Sequence, residues 1–212
     1  FGGGYDWKLE SGLDSGVCNF GNSYECRGAG SQSVFNDAVC HEKLCGAKTG
    51  WTVDELEVYS WWTPSPRFPG TALVSDAHAA KIAAWIVEGD SGAAPDPAWT
   101  RCYSRTQDYA KPFSGWKSQR FHAQCSNKGP TVVVMRVSTG KLIGGYAGES
   151  WWTGDAWKTS PTSFLFSLTT GHRHGLAPVQ SWETFGQLAL RGGDIATGPT
   201  FGQGADLAVD PD

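Results

Sequence analysis

The chain predicts a strand-rich, mainly β fold with a flanking helix and disulfide bracing, and three observations carry that expectation. Residues 131–137, TVVVMRV, and residues 163–168, SFLFSL, are short apolar runs of strand length, with a third candidate at 141–148 between them. Residues 74–87 carry apolar side chains at helical spacing. Six cysteines, Cys18, Cys26, Cys40, Cys45, Cys102 and Cys125, form an even set suited to pairing.

In chain order, residues 1–24 alternate aromatic and apolar residues with glycine, which suits short strands and tight turns. The opening FGGG reads as a turn rather than a phosphate cradle, since no GxxxxGK pattern follows. Residues 25–50 form a cysteine-bearing loop. If Cys18, Cys26, Cys40 and Cys45 pair among themselves, three connectivities remain open. A zinc site using Cys40, His41 and Cys45 is the weaker reading, because no second short cysteine pair completes it. Residues 52–62, TVDELEVYSWW, predict a strand with Val53, Leu56, Val58, Trp61 and Trp62 inward if a bulge shifts the register. Asp54, Glu55 and Glu57 then face solvent. Three prolines in residues 63–70, TPSPRFPG, end that strand.

Ser75 is placed to cap a helix with Asp76 in its first turn, Ala79, Ile82, Ala83 and Ile86 along its buried face, and Gly89 as its stop. Residues 99–104, WTRCYS, predict a strand. Alternation in 118–125 predicts another, which would set Cys102 and Cys125 on neighbouring strands where they can bridge. Ser138-Thr139-Gly140 predicts a turn after the valine strand. Gly171-His172-Arg173-His174-Gly175 reads as a loop bracketed by glycines, and residues 181–190 as a short apolar element.

The tail repeats the head. Phe201-Gly-Gln-Gly-Ala-Asp206-Leu matches Phe1-Gly-Gly-Gly-Tyr-Asp6-Trp at phenylalanine, two glycines and aspartate. A tandem precursor or a permuted order would explain this. Residues 76–86, WTRCYS, RFHAQC, GPTVVVMRVSTGKLIGGYAGESW and SFLFSL resemble the TLDc domain. That family usually continues with FGGG, a strand ending in glycine-cysteine, FGN and an EVW-like strand. Here FGGG, GVCNFGN at 16–22 and LEVYSWW at 56–62 come first. The resemblance implies an antiparallel β-sandwich with flanking helices, circularly permuted, as one domain over 1–212. Residues 1–62 would correspond to the family's C-terminal portion, 63–70 to the join, 71–200 to its N-terminal and central portion, and 201–212 to a partial repeat. It also implies a link to oxidative-stress protection and to the proton-pumping vacuolar ATPase, which the cysteine-paired character of this chain argues against carrying over.

For function, a formal charge of −4 and the lack of a basic stripe argue against nucleic-acid binding. No apolar run reaches transmembrane length. Cysteine pairing and the start at Phe1 suggest a processed, extracellular or secretory protein. Eleven tryptophans exceed what a routine core needs. Trp151, Trp152, Asp155 and Trp157, with Trp61 and Trp62, mix rings with an acid and predict a non-enzymatic module recognising an extracellular glycan or protein surface. One alternative is a structural, self-assembling protein, a homo-oligomer joined through its terminal segments. A second is a hydrolase-like enzyme in which His172 or His174 acts as base, oriented by Asp194 or Glu149, although no GxSxG motif supplies a nucleophile. No cofactor is expected. The weak metal candidates are His172 and His174, alternate residues able to share a strand face, and Asp206 and Asp210 for an irregular calcium site.

Overall fold

The structure is a computed structural model that describes residues 7–10, 15–18, 53–61, 68–93, 98–109, 117–154, 156–176, 188–192, 198–202 and 207–208. It contains β1 (Trp7–Glu10), β2 (Ser15–Cys18), β3 (Val53–Trp61), α1 (Asp76–Gly89), β4 (Trp99–Ser104), α2 (Arg105–Tyr109), α3 (Lys117–Cys125), β5 (Thr131–Val137) and β6 (Leu142–Ala147). β7 (Ala156–Thr159), β8 (Phe164–Ser167), β9 (His172–Gly175), β10 (Leu188–Gly192), β11 (Thr200–Phe201) and β12 (Leu207–Ala208) follow.

Among these residues the strands form a six-stranded sheet in the order β4-β3-β5-β6-β8-β9, a four-stranded sheet in the order β12-β11-β10-β7, and the β1-β2 hairpin. Every pairing is antiparallel. β5 explains the layering. Strand side chains alternate between faces, and an unbroken apolar run satisfies two buried faces. Val133, Met135 and Val137 enter a core shared with Leu190, Phe201 and Leu207 of the smaller sheet. Val132 and Val134 enter a second core with Ile82 and Ile86 of α1. The large sheet is therefore the middle layer, with α1 on one face and the small sheet and α3 on the other.

The two sheets approach closely at β6. A methyl group on Gly145 would sit 2.7 Å from the Phe201 ring, and one on Gly144 would meet the Val133 carbonyl oxygen at 1.9 Å. Glycine at 145 lets the two sheets meet, and glycine at 144 lets β6 lie close against β5 within the large sheet. The predicted turn closes β5 onto β6 through Gly140 at φ 78°, whose amide donates to the Val137 carbonyl at 2.8 Å.

α1 begins at the Ser75 cap, which accepts from the His78 amide, and buries the expected face. Gly89 remains helical, and Asp90 ends the helix by donating its amide to the Ile86 carbonyl. The expectation of a strand over 118–125 is corrected. Ser118, Phe121, His122 and Cys125 are buried while Ala123 is exposed. That spacing belongs to a helix, so the alternation of Phe121, Ala123 and Cys125 misdirects. The expected loop at 171–175 is also corrected. Gly171, at φ 74°, makes the reversal, and β9 then pairs with β8 from His172 to Gly175.

Cys102 and Cys125 are bonded, with Cα atoms 5.3 Å apart. The bridge ties a strand to a helix rather than two strands. The register on β3 passes from Tyr103 to Arg101, leaving Cys102 as the extra residue of a bulge. Cys18 lies on β2, whereas Cys26, Cys40 and Cys45 lie outside the described residues. Residues 181–187 of the expected apolar element lie outside them as well.

Candidate functional site

The tryptophan surface is the first candidate, and the structure corrects it. Trp151 is wholly buried in the core between the sheets. Its indole N–H donates to the Thr131 hydroxyl at 2.7 Å, and Phe121 and Phe201 meet it edge-on, with ring centroids 5.9 and 5.2 Å away. Trp152 packs partly buried against the same core, and the Lys158 ammonium lies 4.4 Å from its ring centre. A cation so placed covers one face of the ring. Trp157 is half-buried on β7. The side chain of Trp61, and Trp62 and Asp155 altogether, lie outside the described residues. A carbohydrate site of exposed rings is overturned by this burial. The ring-rich sequence fills interior volume, as large aromatic side chains most often do.

The histidines are distributed differently. His172 and His174 share the β9 strand with ring centroids 6.5 Å apart. His174 is buried and His172 half-buried. Glu149 is exposed, while Asp194, Asp206 and Asp210 lie outside the described residues. Among the described residues no three metal-ligating side chains converge.

Sequence reasoning missed Glu57, which was expected to face solvent. It is 2% exposed. Its carboxylate accepts from the Thr71 hydroxyl at 2.6 Å, the Tyr59 hydroxyl at 2.9 Å and the Ala72 amide at 3.3 Å. Arg101 of β4 lies 3.4 Å away and also donates to the Gly70 carbonyl at 2.6 Å. Burial pushes the Tyr59 phenol well above its ordinary value. The cluster fastens residues 70–72 to β3 and β4. A buried carboxylate needs such partners. The sequence signal lay in Thr71 and Arg101, whose proximity to Glu57 only the fold supplies.

The remaining candidate is the edge of the small sheet. β12 pairs with β11 through Thr200–Ala208 and Phe201–Leu207, and β11 is its sole strand partner in that sheet among the described residues. The β1-β2 hairpin lies against it. The strands that follow the two repeats meet at this seam: β1 starts at Trp7, directly after FGGGYD, and β12 starts at Leu207, directly after FGQGAD. Matching sequence thus opens a strand at the same offset on both sides.

The profile of the TLDc domain matches residues 70–212. The chain belongs to the TLDc family. No curated protein and no solved structure matches it. The family match leaves out β3, although β3 is hydrogen-bonded on both sides, to β4 and β5, within this TLDc fold. Among the described residues of the TLDc chain, no helix is long and apolar enough to cross a membrane.

Proposed function

We propose that this chain is a structural TLDc module that self-associates by β-strand addition at the β12 edge. The seam carries the reading: two strands preceded by the same sequence motif lie side by side, and among the described residues one of them ends a sheet. An edge strand offers unpaired backbone groups to a further strand, and this contact requires no ring surface. β1 of one copy, leaving its own β12, is the matching strand for β12 of another.

We further read the chain as a permuted TLDc domain in which residues 1–61 complete the fold that residues 70–212 begin. The family match starting after β3, and the central place of β3, support this. The Cys102–Cys125 bond supports an oxidising setting, so the compartment we assign is extracellular or secretory.

Light scattering over a wide concentration range tests the association. Lys8→Pro and Leu9→Pro each delete a β1 amide, and in an antiparallel hairpin one of the two neighbours directs its amide away from β2. One variant should lose the multimer while keeping the far-ultraviolet spectrum of the fold. A wild-type chain that stays monomeric throughout refutes the reading.

A further inference from the structure

We propose that β9 carries a binding site for a first-row divalent cation, copper(II) above all, made by His172 and His174. The site involves neither β1 nor β12, so it stands or falls apart from the association at that edge.

Three observations carry it. First, the two imidazoles share one face of one strand. They are alternate residues of β9, and side chains at that spacing point to the same side. Their cross-strand partners on β8 are Ser167 and Leu165, and Leu165 belongs to the core between the sheets. Arg173, between them, faces the opposite layer. Its guanidinium lies 4.7 Å from the Phe164 ring centre and 3.4 Å from the Glu88 carboxylate of α1. The strand thus keeps the guanidinium off the histidine face, where it would repel a bound cation.

Second, Nδ1 of His172 is buried and makes no hydrogen bond among the described residues. A buried polar atom left without a partner costs about 1–3 kcal/mol, and a bound ion is one way to remove that cost. Imidazole nitrogen suits copper, nickel and zinc, and of these divalent ions copper(II) binds a given site most tightly.

Third, a second imidazole lies beside the first. The ring centroids are 6.5 Å apart and the ring planes differ by 25°. Metal–nitrogen bonds of about 2.0–2.1 Å join nitrogens no more than about 4 Å apart. One ring must therefore turn toward the other on binding. His172 is able to, being half-buried with no hydrogen bond at Nδ1 to lose. His174, buried, is the fixed ligand. No third protein ligand converges among the described residues, so water completes the coordination.

The test titrates copper(II) alone into the full-length chain carrying no affinity tag. The chain has five histidines, so variants must assign the site. His172→Gln alters a half-buried position and keeps the far-ultraviolet spectrum of the fold. It should weaken the tightest copper binding by at least about tenfold, as loss of one of two linked ligands does. His174→Gln should do the same where it folds. His78→Gln removes an imidazole on α1 whose Nδ1 is also buried without a partner, and it should change nothing. Electron paramagnetic resonance at one equivalent of copper should show splitting from two imidazole nitrogens in the wild type and from one in His172→Gln. Copper affinity unchanged by His172→Gln, or a wild-type spectrum split by a single nitrogen, overturns the site.

Discussion

Glu57 shows how far one side chain can depart from its sequence pattern. In TVDELEVYSWW it resembles the acids beside it, Asp54 and Glu55. Its neighbours Leu56 and Val58 turn into the core between the sheets, so Glu57 turns toward the opposite layer, where Thr71, Tyr59 and Arg101 await it. Glu57→Ala should cost about 3 kcal/mol, the scale for removing one member of a buried pair, read as a lower denaturant midpoint. Trp151 is a second case. Replacing it with Phe leaves the Thr131 hydroxyl without its indole donor and opens space beside Phe201. A loss of about 2 kcal/mol follows, by calorimetry. Gly145→Ala should cost about 1–3 kcal/mol, because the added methyl meets a buried ring that cannot withdraw freely. Burial, aided by the negative charges of Asp90 and Glu149, holds the Tyr146 phenol up at about 12 instead of 10.0. The folded state then keeps a proton that the unfolded chain gives up. The stability from Tyr146 is complete below pH 10.0 and falls as pH rises from there to about 12. A Tyr146→Phe variant should flatten that part of the alkaline melting profile.

At the scale of elements, legibility followed the number of faces buried. β5 is apolar on both faces, and its bounds match the sequence reading. α1 combines a cap with a single apolar face, and both show in the sequence. α3 is less legible. Its buried positions include Ser118 and His122, so polarity concealed the helical stripe. His122 sits inside with Ser126 2.9 Å from its Nδ1. A polar side chain with a partner one helical turn away reads as surface in a sequence and as interior in the fold. The Cys102–Cys125 pair was legible as a pair but not as a strand–helix staple. Its two cysteines are separated by 23 positions, and reduction should destabilise the domain by about 3 kcal/mol. Comparing melting with and without reductant, against a Cys102→Ala/Cys125→Ala double variant, checks this. The candidate site was less legible than any element. Ring count in a sequence measures aromatic content, whereas exposure depends on which layer covers each ring.

At the scale of the molecule, the three-layer arrangement follows from β5, buried at every position but Arg136, and from β8, buried throughout. One sheet face receives α1 and the other the small sheet. The apolar strand runs supplied the strand-rich architecture, and family resemblance agreed with it. Neither could supply the seam at β12, because a repeated motif states likeness between two segments and says nothing of where the strands that follow them lie. The central position of β3 has a further consequence in time. Synthesis delivers β3 before β4 and β5, the strands that flank it. Its apolar residues must wait for a long stretch of chain before their pairing surface exists. Distant pairings of this kind slow folding and leave strand edges open meanwhile. The strand that holds the finished sheet together is thus, for the nascent chain, the segment most in need of protection.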